Sequence, residues 1–192
     1  MPGSFGNRLL EEAVPKMKEL SREFGETVSL AQLFENHIQV VAVIESPHLI
    51  RMANVVGRIL QPHASSLGKT ITAFQPEETR DVLLRSYGIY PYTKHTITDE
   101  SELKKEYEKI RQIGYGVDAE ESILEGCCFG APIFNQERRA VAAISISAPK
   151  MRLKNKEDQE RIVGALREKT NAISKRLAAP GGGGASGGLL RR

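Results

Sequence analysis

The chain has 192 residues, of which 40% are hydrophobic and 27% are charged, and its formal net charge is +3. This length and composition suit one globular domain, and the small, scattered positive charge predicts weak affinity of this chain for nucleic acid. No apolar run approaches the roughly 20 residues that cross a bilayer, and the charged N-terminal segment does not resemble a signal peptide. The adjacent Cys127 and Cys128 fit neither an ordinary disulfide nor a zinc site. We therefore expect a cytoplasmic protein without a metal, a cofactor or a membrane partner.

Hydrophobic periodicity predicts the helices and strands in chain order. The chain opens with an amphipathic helix that ends at Gly25, and Pro15 marks either a kink in this helix or a late start. A first β-hairpin is followed by an irregular or extended segment at 49–59, and a short helix begins near Ser65 or Ser66. The predicted elements are helices at 7–24, from 65, at 76–86, from 99 or 101 to 113 and at 155–177, and strands at 27–34, 39–44, 127–133 and 141–149.

The last two predicted strands carry small and polar residues in an otherwise apolar setting. The short polar loop 135–139 favours an antiparallel hairpin, and the second strand, without charge on either face, is predicted to be central and covered on both sides. Because side chains alternate along a strand, Cys128 and Gly130 would stand beside Ser145 and Ser147 on one face. Buried polar groups need partners, so this cluster predicts a small polar cavity. The alternative is that the serines and the thiol are packed and bonded to backbone carbonyls.

Two further motifs allow a binding interpretation and a purely structural one. Residues 68–70 (GKT) suggest a phosphate loop, but His63 stands where that loop needs its first glycine, so nucleotide binding is excluded. A helix that starts at Ser65 or Ser66 offers free N–H groups to a carboxylate, or one of these serines simply caps it. Asp118 fits a capping box that starts a turn, or it accepts a hydrogen bond from a ligand hydroxyl at the edge of a pocket.

The remaining chemically reactive residues give weaker signals. No histidine has a cysteine, serine or carboxylate at a spacing typical of a catalytic triad or metal site, so we expect all four at the surface or in turns. Cys128 is a candidate nucleophile, although the sequence supplies no base for it. The four histidines are His37, His48, His63 and His95.

Together these segments resemble the effector-binding domain of the IclR family of bacterial transcription factors, over nearly the whole chain from about residue 5 to residue 177. The resemblance implies a GAF-like α/β (α+β) fold, in which helices flank a curved antiparallel sheet and a pocket at the sheet's edge holds a small organic acid. The segments that carry the resemblance are residues 8–28, 63–69 (HASSLGK), 92–93 (YT), 96–99 (TITD), 114–121 (GYGVDAEE), 128–132 (CFGAP) and 145–149 (SISAP). The pocket residues that it implies are Met52, Ser66, Leu67, Asp118, Cys128, Ser145 and Ser147.

Two departures from the family pattern affect these expectations. The family typically has glycine three residues before the pocket cysteine, where this chain has Glu125 followed by Gly126, which puts the local turn in question. The family's N-terminal winged helix-turn-helix is not found in the 192 residues, so we expect a separate domain, a truncated frame or a stand-alone sensor. We divide the chain into an entry helix at 1–26, a GAF-like domain at 27–178 and a disordered Gly-rich tail at 179–192.

The resemblance predicts a protein that is not an enzyme. Its expected function is to sense a small keto or hydroxy acid as part of a transcriptional regulator and to control DNA binding by a domain missing from these residues. Self-association to a dimer or tetramer is expected, because the amphipathic helix at 7–24 lacks a DNA-binding domain to lie against and the family assembles through these domains. The alternative function is a thiol-dependent enzyme that uses Cys128, which would require a thiol pKa well below its usual value.

Overall fold

The computed structural model describes residues 4–153 and 155–179. The Gly-rich tail predicted at 179–192 lies outside this part of the chain, apart from Ala179. The elements are α1 (Ser4–Phe24), β1 (Thr27–Leu33), β2 (Ile38–Ile44), α2 (Ser66–Ala73), α3 (Glu77–Tyr87), α4 (Glu100–Ile113), β3 (Gly116–Ala119), β4 (Gly126–Phe134), β5 (Ala140–Pro149), a 3-10 turn (Lys150–Arg152) and α5 (Lys156–Ala178).

The strands form one sheet in the order β2-β1-β5-β4-β3, with every neighbouring pair antiparallel. β5 lies at the centre and most of its residues are buried, which confirms the predicted central strand. Cys128 pairs with Ser147 and Gly130 with Ser145, so these four residues share one face, as the alternation of side chains predicts. The antiparallel sheet flanked by helices confirms the predicted α+β fold class.

Helices cover both faces of the sheet. α1 and α5 pack on the face that carries Phe129, Ile144 and Ile146, where they form the main hydrophobic core. α2 packs on the opposite face against β3, β4 and β5. This approach depends on glycine, because a Cβ atom at Gly130 would lie only 3.0 Å from the backbone oxygen of Ser66. The sheet therefore holds the N-terminal end of α2 directly above β4 and β5.

The opening helix α1 is built into the core of the domain. It runs through Pro15 without a late start, and Gly25 ends it with a φ of 68°, as predicted. Four apolar side chains of α1 have no exposed surface, so most of its apolar face is already covered within this chain and gives little support to the argument that this face drives self-association. These side chains are Leu9, Ala13, Met17 and Leu20.

The segment between β2 and α2 is irregular, which is one of the two forms that the sequence predicts. Its path is fixed by hydrogen bonds to distant elements, since Asn54 Nδ2 donates to Ser29 Oγ over 3.1 Å. The Ile50 carbonyl likewise accepts from Arg152 Nη1 over 2.8 Å. These bonds hold the segment beside the sheet, next to the start of α2. Among the helices of residues 4–153 and 155–179, none combines the length and apolar character needed to cross a membrane.

Candidate functional site

A cavity of about 400 Å³ lies where the start of α2, strands β4 and β5, the irregular segment and the β3–β4 loop meet. Its volume lies within the range typical of small-molecule sites. All the residues predicted to bind an effector line this one cavity, although their role in binding stays a prediction. They are Met52, Ser66, Leu67, Asp118, Cys128, Ser145 and Ser147.

The floor of the cavity is made by small and polar side chains of β4 and β5. Cys128, Ser145 and Ser147 line it from adjacent positions of the β4–β5 pair. Ser145 is only 1% exposed, and no backbone carbonyl in the described ranges accepts a hydrogen bond from its hydroxyl. Since a buried hydroxyl is ordinarily hydrogen-bonded, this arrangement favours the polar cavity over the alternative of packed, satisfied serines.

The N-terminus of α2 forms one wall of the cavity and supports both interpretations of its serines. Ser65 is the N-cap, because its hydroxyl oxygen accepts the Gly68 N–H over 3.0 Å. The cap does not use the N–H groups of Ser66 and Leu67, which stand in the first turn without an intrahelical partner. Both residues line the cavity. The start of α2 therefore presents backbone donors and the positive end of a helix dipole to this space.

Asp118 closes the cavity at the end of β3. Its Oδ1 accepts the N–H groups of Glu121 over 2.7 Å and Ser122 over 3.1 Å, which confirms the interpretation that it starts a turn. The residue is only 4% exposed, and this burial raises the pKa of its carboxyl group, against the lowering effect of the hydrogen bonds that it accepts. Its use as an acceptor for a ligand hydroxyl stays a prediction.

A buried ionic cluster that the sequence did not predict lies behind the wall of the cavity. Lys69 has no exposed surface, and its Nζ donates to Glu106 over 2.9 Å and to Glu121 over 2.7 Å. Burial raises the pKa of Glu121 to about 7, although the nearby Lys69 ammonium lowers it. The lysine of the supposed phosphate loop thus binds carboxylates inside the domain. Its contact with Glu121 ties α2 to the β3–β4 loop.

The thiol of Cys128 has the wrong electrostatic environment for a nucleophile. Burial raises its pKa above the usual value, and the carboxylate of Asp118 acts in the same direction. Since the thiolate is the reactive form, such a group is unreactive at neutral pH. The alternative of a thiol-dependent enzyme therefore has no support in this geometry. No group of three or more potential metal ligands occurs in the part of the chain that the structure describes.

Sequence reasoning missed several residues of the cavity wall, including two cations. Arg51 and Arg58 both line the cavity from the irregular segment. This segment has no periodicity from which side-chain directions could be inferred, and the one available signal was its position in a loop next to a helix start. The other cavity residues that were missed are Ala53, Asn54, Leu60, Gln61, Ser122 and Ile123.

His63 lies in a turn, as expected, but its full burial was not predicted from the sequence. It has no exposed surface, and its Nε2 lies 2.9 Å from the carbonyl oxygen of Tyr90. Burial lowers the pKa of His63. His48 and His95 are exposed and His37 is half-buried. The aromatic rings of Tyr87 and Tyr92 lie beside His63, so we assign it a packing role.

The turn before Cys128 keeps an unusual backbone conformation without the family's glycine. Glu125 has a φ of 60°, a left-handed conformation that L-residues other than glycine seldom adopt. The next residue, Gly126, lies close to the Met52 side chain, since a Cβ atom at this position would be 2.7 Å from Met52 Cε. The rim of the cavity therefore tolerates Glu125 at a cost in backbone strain.

The structure is an α+β domain with a cavity of a size typical of small-molecule sites, and comparison with known families gives its family. The family model described as "Bacterial transcriptional regulator IclR C-terminal" matches residues 6–175. The chain therefore belongs to the IclR family and corresponds to its C-terminal domain, which confirms the resemblance found in the sequence. Members of this family are transcriptional regulators and not enzymes.

The relatives that this chain resembles support the assignment. It is 36% identical over 147 residues to the transcriptional repressor IclR of Escherichia coli K12, covering 76% of this chain and 54% of that protein. The crystal structure of Thermotoga maritima IclR superposes with a TM-score of 0.82 at 32% identity, covering 89% of this chain and 69% of that one. The C-terminal domain of E. coli KdgR gives a TM-score of 0.80 at 27% identity, covering 90% and 99%. The chain spans about half the length of the curated relatives that it matches.

Proposed function

We propose that this chain is the effector-sensing and oligomerising domain of an IclR-type transcriptional regulator. In this proposal a small keto or hydroxy acid binds in the cavity and controls DNA binding by a winged helix-turn-helix domain outside the 192 residues. One observation carries the proposal: backbone donors at the start of α2 and hydroxyl groups on β5 converge on the same cavity of about 400 Å³. A carboxylate matches the backbone donors, and an additional keto or hydroxyl oxygen on the same acid matches the hydroxyl groups.

The geometry gives each part of the acid a partner. The carboxylate lies at the N–H groups of Ser66 and Leu67, where the helix dipole stabilises negative charge. The remaining oxygens accept hydrogen bonds from Ser145 and Ser147, and a hydroxyl group donates to Asp118. Each neutral hydrogen bond contributes on the order of 1 kcal/mol, so affinity depends on several contacts and not on one.

The position of the cavity supports a regulatory effect of binding. The irregular segment, α2 and the β3–β4 loop each supply part of its wall. A ligand that contacts all of them stabilises one relative arrangement, and binding shifts the population of the domain toward that arrangement. When this arrangement changes the geometry of the assembled domains, acid binding and DNA binding become thermodynamically coupled.

The experiment is a thermal-shift screen of 2-keto and 2-hydroxy acids, followed by calorimetry of any acid that stabilises the protein. Ser147→Leu fills the cavity floor and is expected to abolish binding, whereas Ser145→Ala removes one hydrogen bond and weakens binding about fivefold. Ser101→Leu, on exposed α4, is the matched control and keeps full binding. Acids that stabilise the wild type and Ser147→Leu equally would show that the ligand lies elsewhere.

Self-association is the second part of the proposal. Support comes from an apolar cluster on the irregular segment, where Leu49 is 97% exposed and Ile50, Val55 and Val56 are each more than 60% exposed. Exposed apolar clusters of this kind mark contact surfaces. Light scattering at tens of micromolar should give the mass of a dimer or tetramer of the 21.2 kDa chain. A monomer at this concentration contradicts the assembly.

A further inference from the structure

We infer that Arg58 determines the specificity of the cavity by binding a second anionic group, so that the effector is a small dicarboxylic acid and not a monocarboxylic one. This inference rests on the proposed function, because it assumes that an acid binds in the cavity. It adds a residue and a chemical class that neither the sequence pattern nor the family assignment supplies.

The two arginines of the cavity differ in their partners. Arg51 is already engaged, since its Nη2 lies 3.1 Å from Glu45 Oε2 and its Nη1 donates to the carbonyl of His48. The Arg58 guanidinium makes neither an ion pair nor a hydrogen bond with any residue in the ranges 4–153 and 155–179. A guanidinium has its donors arranged in a planar fork that fits a carboxylate, so Arg58 is the cation available to a ligand.

The acidic groups around the cavity do not neutralise Arg58. Asp118, the acidic residue of the cavity wall, makes no ion pair with Arg58 in the described part of the chain. Its Oδ1 instead accepts two backbone N–H groups, and burial favours its neutral form. Glu121, next to the wall, is paired with Lys69. The cavity therefore keeps an excess of positive potential, which an anionic ligand complements.

The positive groups of the cavity belong to different elements and differ in exposure, which favours a ligand that brings one carboxylate to each. The α2 donors belong to the buried residues Ser66 and Leu67, each only 3% exposed. Arg58 belongs to the irregular segment and is exposed. Leu60 and Met52 line the wall as well. An acid with a short carbon chain between two carboxylates places one charge at each of these groups and its chain along this apolar wall.

The test uses calorimetry at low salt and pH 7.5, where both carboxylates of each diacid are ionised, with pairs of acids of equal carbon number. The pairs are succinate with butyrate, and 2-oxoglutarate with 2-oxopentanoate. We expect the wild type to bind the diacid of at least one pair about ten- to hundredfold tighter, the range for a hydrogen-bonded ion pair. Arg58→Met should reduce this ratio to about one while leaving the affinity for the monoacid nearly unchanged.

Two further variants make the result specific to Arg58. Arg51→Met is the matched control, because it removes a cavity arginine that is already paired with Glu45 and should keep the preference for diacids. Arg58→Lys keeps the charge but loses the planar fork, so it should restore part of the preference. Thermal unfolding of each variant shows that the fold is intact, as expected for substitutions of exposed residues.

The outcomes separate this inference from the proposed function. Equal affinity for mono- and diacids in the wild type, or equal loss of the preference in Arg51→Met and Arg58→Met, overturns the role of Arg58. In either case the proposed function stands as long as Ser147→Leu abolishes binding. If no acid binds in a manner sensitive to Ser147→Leu, the proposed function and this inference both fail.

Discussion

Replacing Lys69 with methionine tests whether the buried ionic cluster stabilises the domain. Methionine is close to lysine in length and apolar, so Lys69→Met removes the charge without leaving a large cavity. The change breaks the contacts of Lys69 Nζ with Glu106 and Glu121, whose side chains are 16% and 9% exposed. The carboxylate of Glu121 then lies in the protein without its cation.

The expected loss of stability is large. Removing one partner of a buried ion pair costs about 3–5 kcal/mol, because the other charge stays buried and unpaired. Folded domains have a total stability of only about 5–15 kcal/mol. For a chain of this size each kcal/mol lowers the melting temperature by about 2–4 °C, so Lys69→Met should lower it by roughly 10 °C. Glu121 can take up a proton, which removes its unpaired charge, and this limits the loss of stability.

The pH dependence follows from Glu121. Its pKa is about 7 in the folded protein, above the ordinary value of 4.5, so its carboxyl contributes full stability below pH 4.5 and loses that contribution as the pH rises through 7. The shift corresponds to a loss of about 3 kcal/mol across this window. Without Lys69 the pKa rises further, and the loss extends above pH 7. Glu121→Gln, which cannot ionise, should remove this slope in both backgrounds.

The assay is urea unfolding followed by circular dichroism at pH 6 and pH 8. Lys109→Met is the matched control, because Lys109 Nζ lies 3.8 Å from Glu106 but is 66% exposed, and such pairs contribute less than about 1 kcal/mol. Lys69→Met/Glu121→Gln should recover part of the loss of the single variant, since no unpaired carboxylate remains at Glu121. The reasoning is refuted if Lys69→Met costs no more than Lys109→Met, or if the double variant is no more stable than Lys69→Met.

Further predictions concern the backbone and the thiol. Glu125→Gly should raise the free energy of unfolding by about 1 kcal/mol, because glycine relieves the left-handed strain. A lower free energy of unfolding, measured by chemical denaturation, would contradict this. Gly116→Ala should lower the free energy of unfolding by about 1–3 kcal/mol and weaken acid binding, because the new Cβ would clash with the Thr70 hydroxyl, lie 3.1 Å from the Ser66 carbonyl and so shift α2. Unchanged stability and affinity would show that α2 adjusts freely. Cys128 should react with iodoacetamide at pH 8 at least about tenfold more slowly than a free thiol, as followed by mass spectrometry of the labelled peptide; rapid labelling would show that the site does not bury the thiol.

The sequence by itself determined the parts of the site that depend on local rules. The period of two along a strand and the short loop 135–139 placed Cys128, Gly130, Ser145 and Ser147 on one face of a hairpin, and the structure supplies their register. The start of α2 near Ser65 or Ser66 followed from the capping preference of serine, and the structure shows that Ser65 is the cap. These inferences hold because each depends only on neighbouring residues or on a hairpin joined by a short loop.

Only the tertiary structure decided which other residues reach the cavity. Arg58 lies in an irregular segment whose course is set by hydrogen bonds to distant residues, such as the bond from Asn54 to Ser29, and not by a helical or strand period. His63 is buried by aromatic rings that follow it by more than 20 residues, and Lys69 meets Glu121, 52 residues further along the chain. Contacts between residues so far apart in sequence depend on how whole helices and strands pack. The stable packing is one in which buried charges have partners. A single sequence contains the residues for these contacts, but their meeting depends on the complete fold.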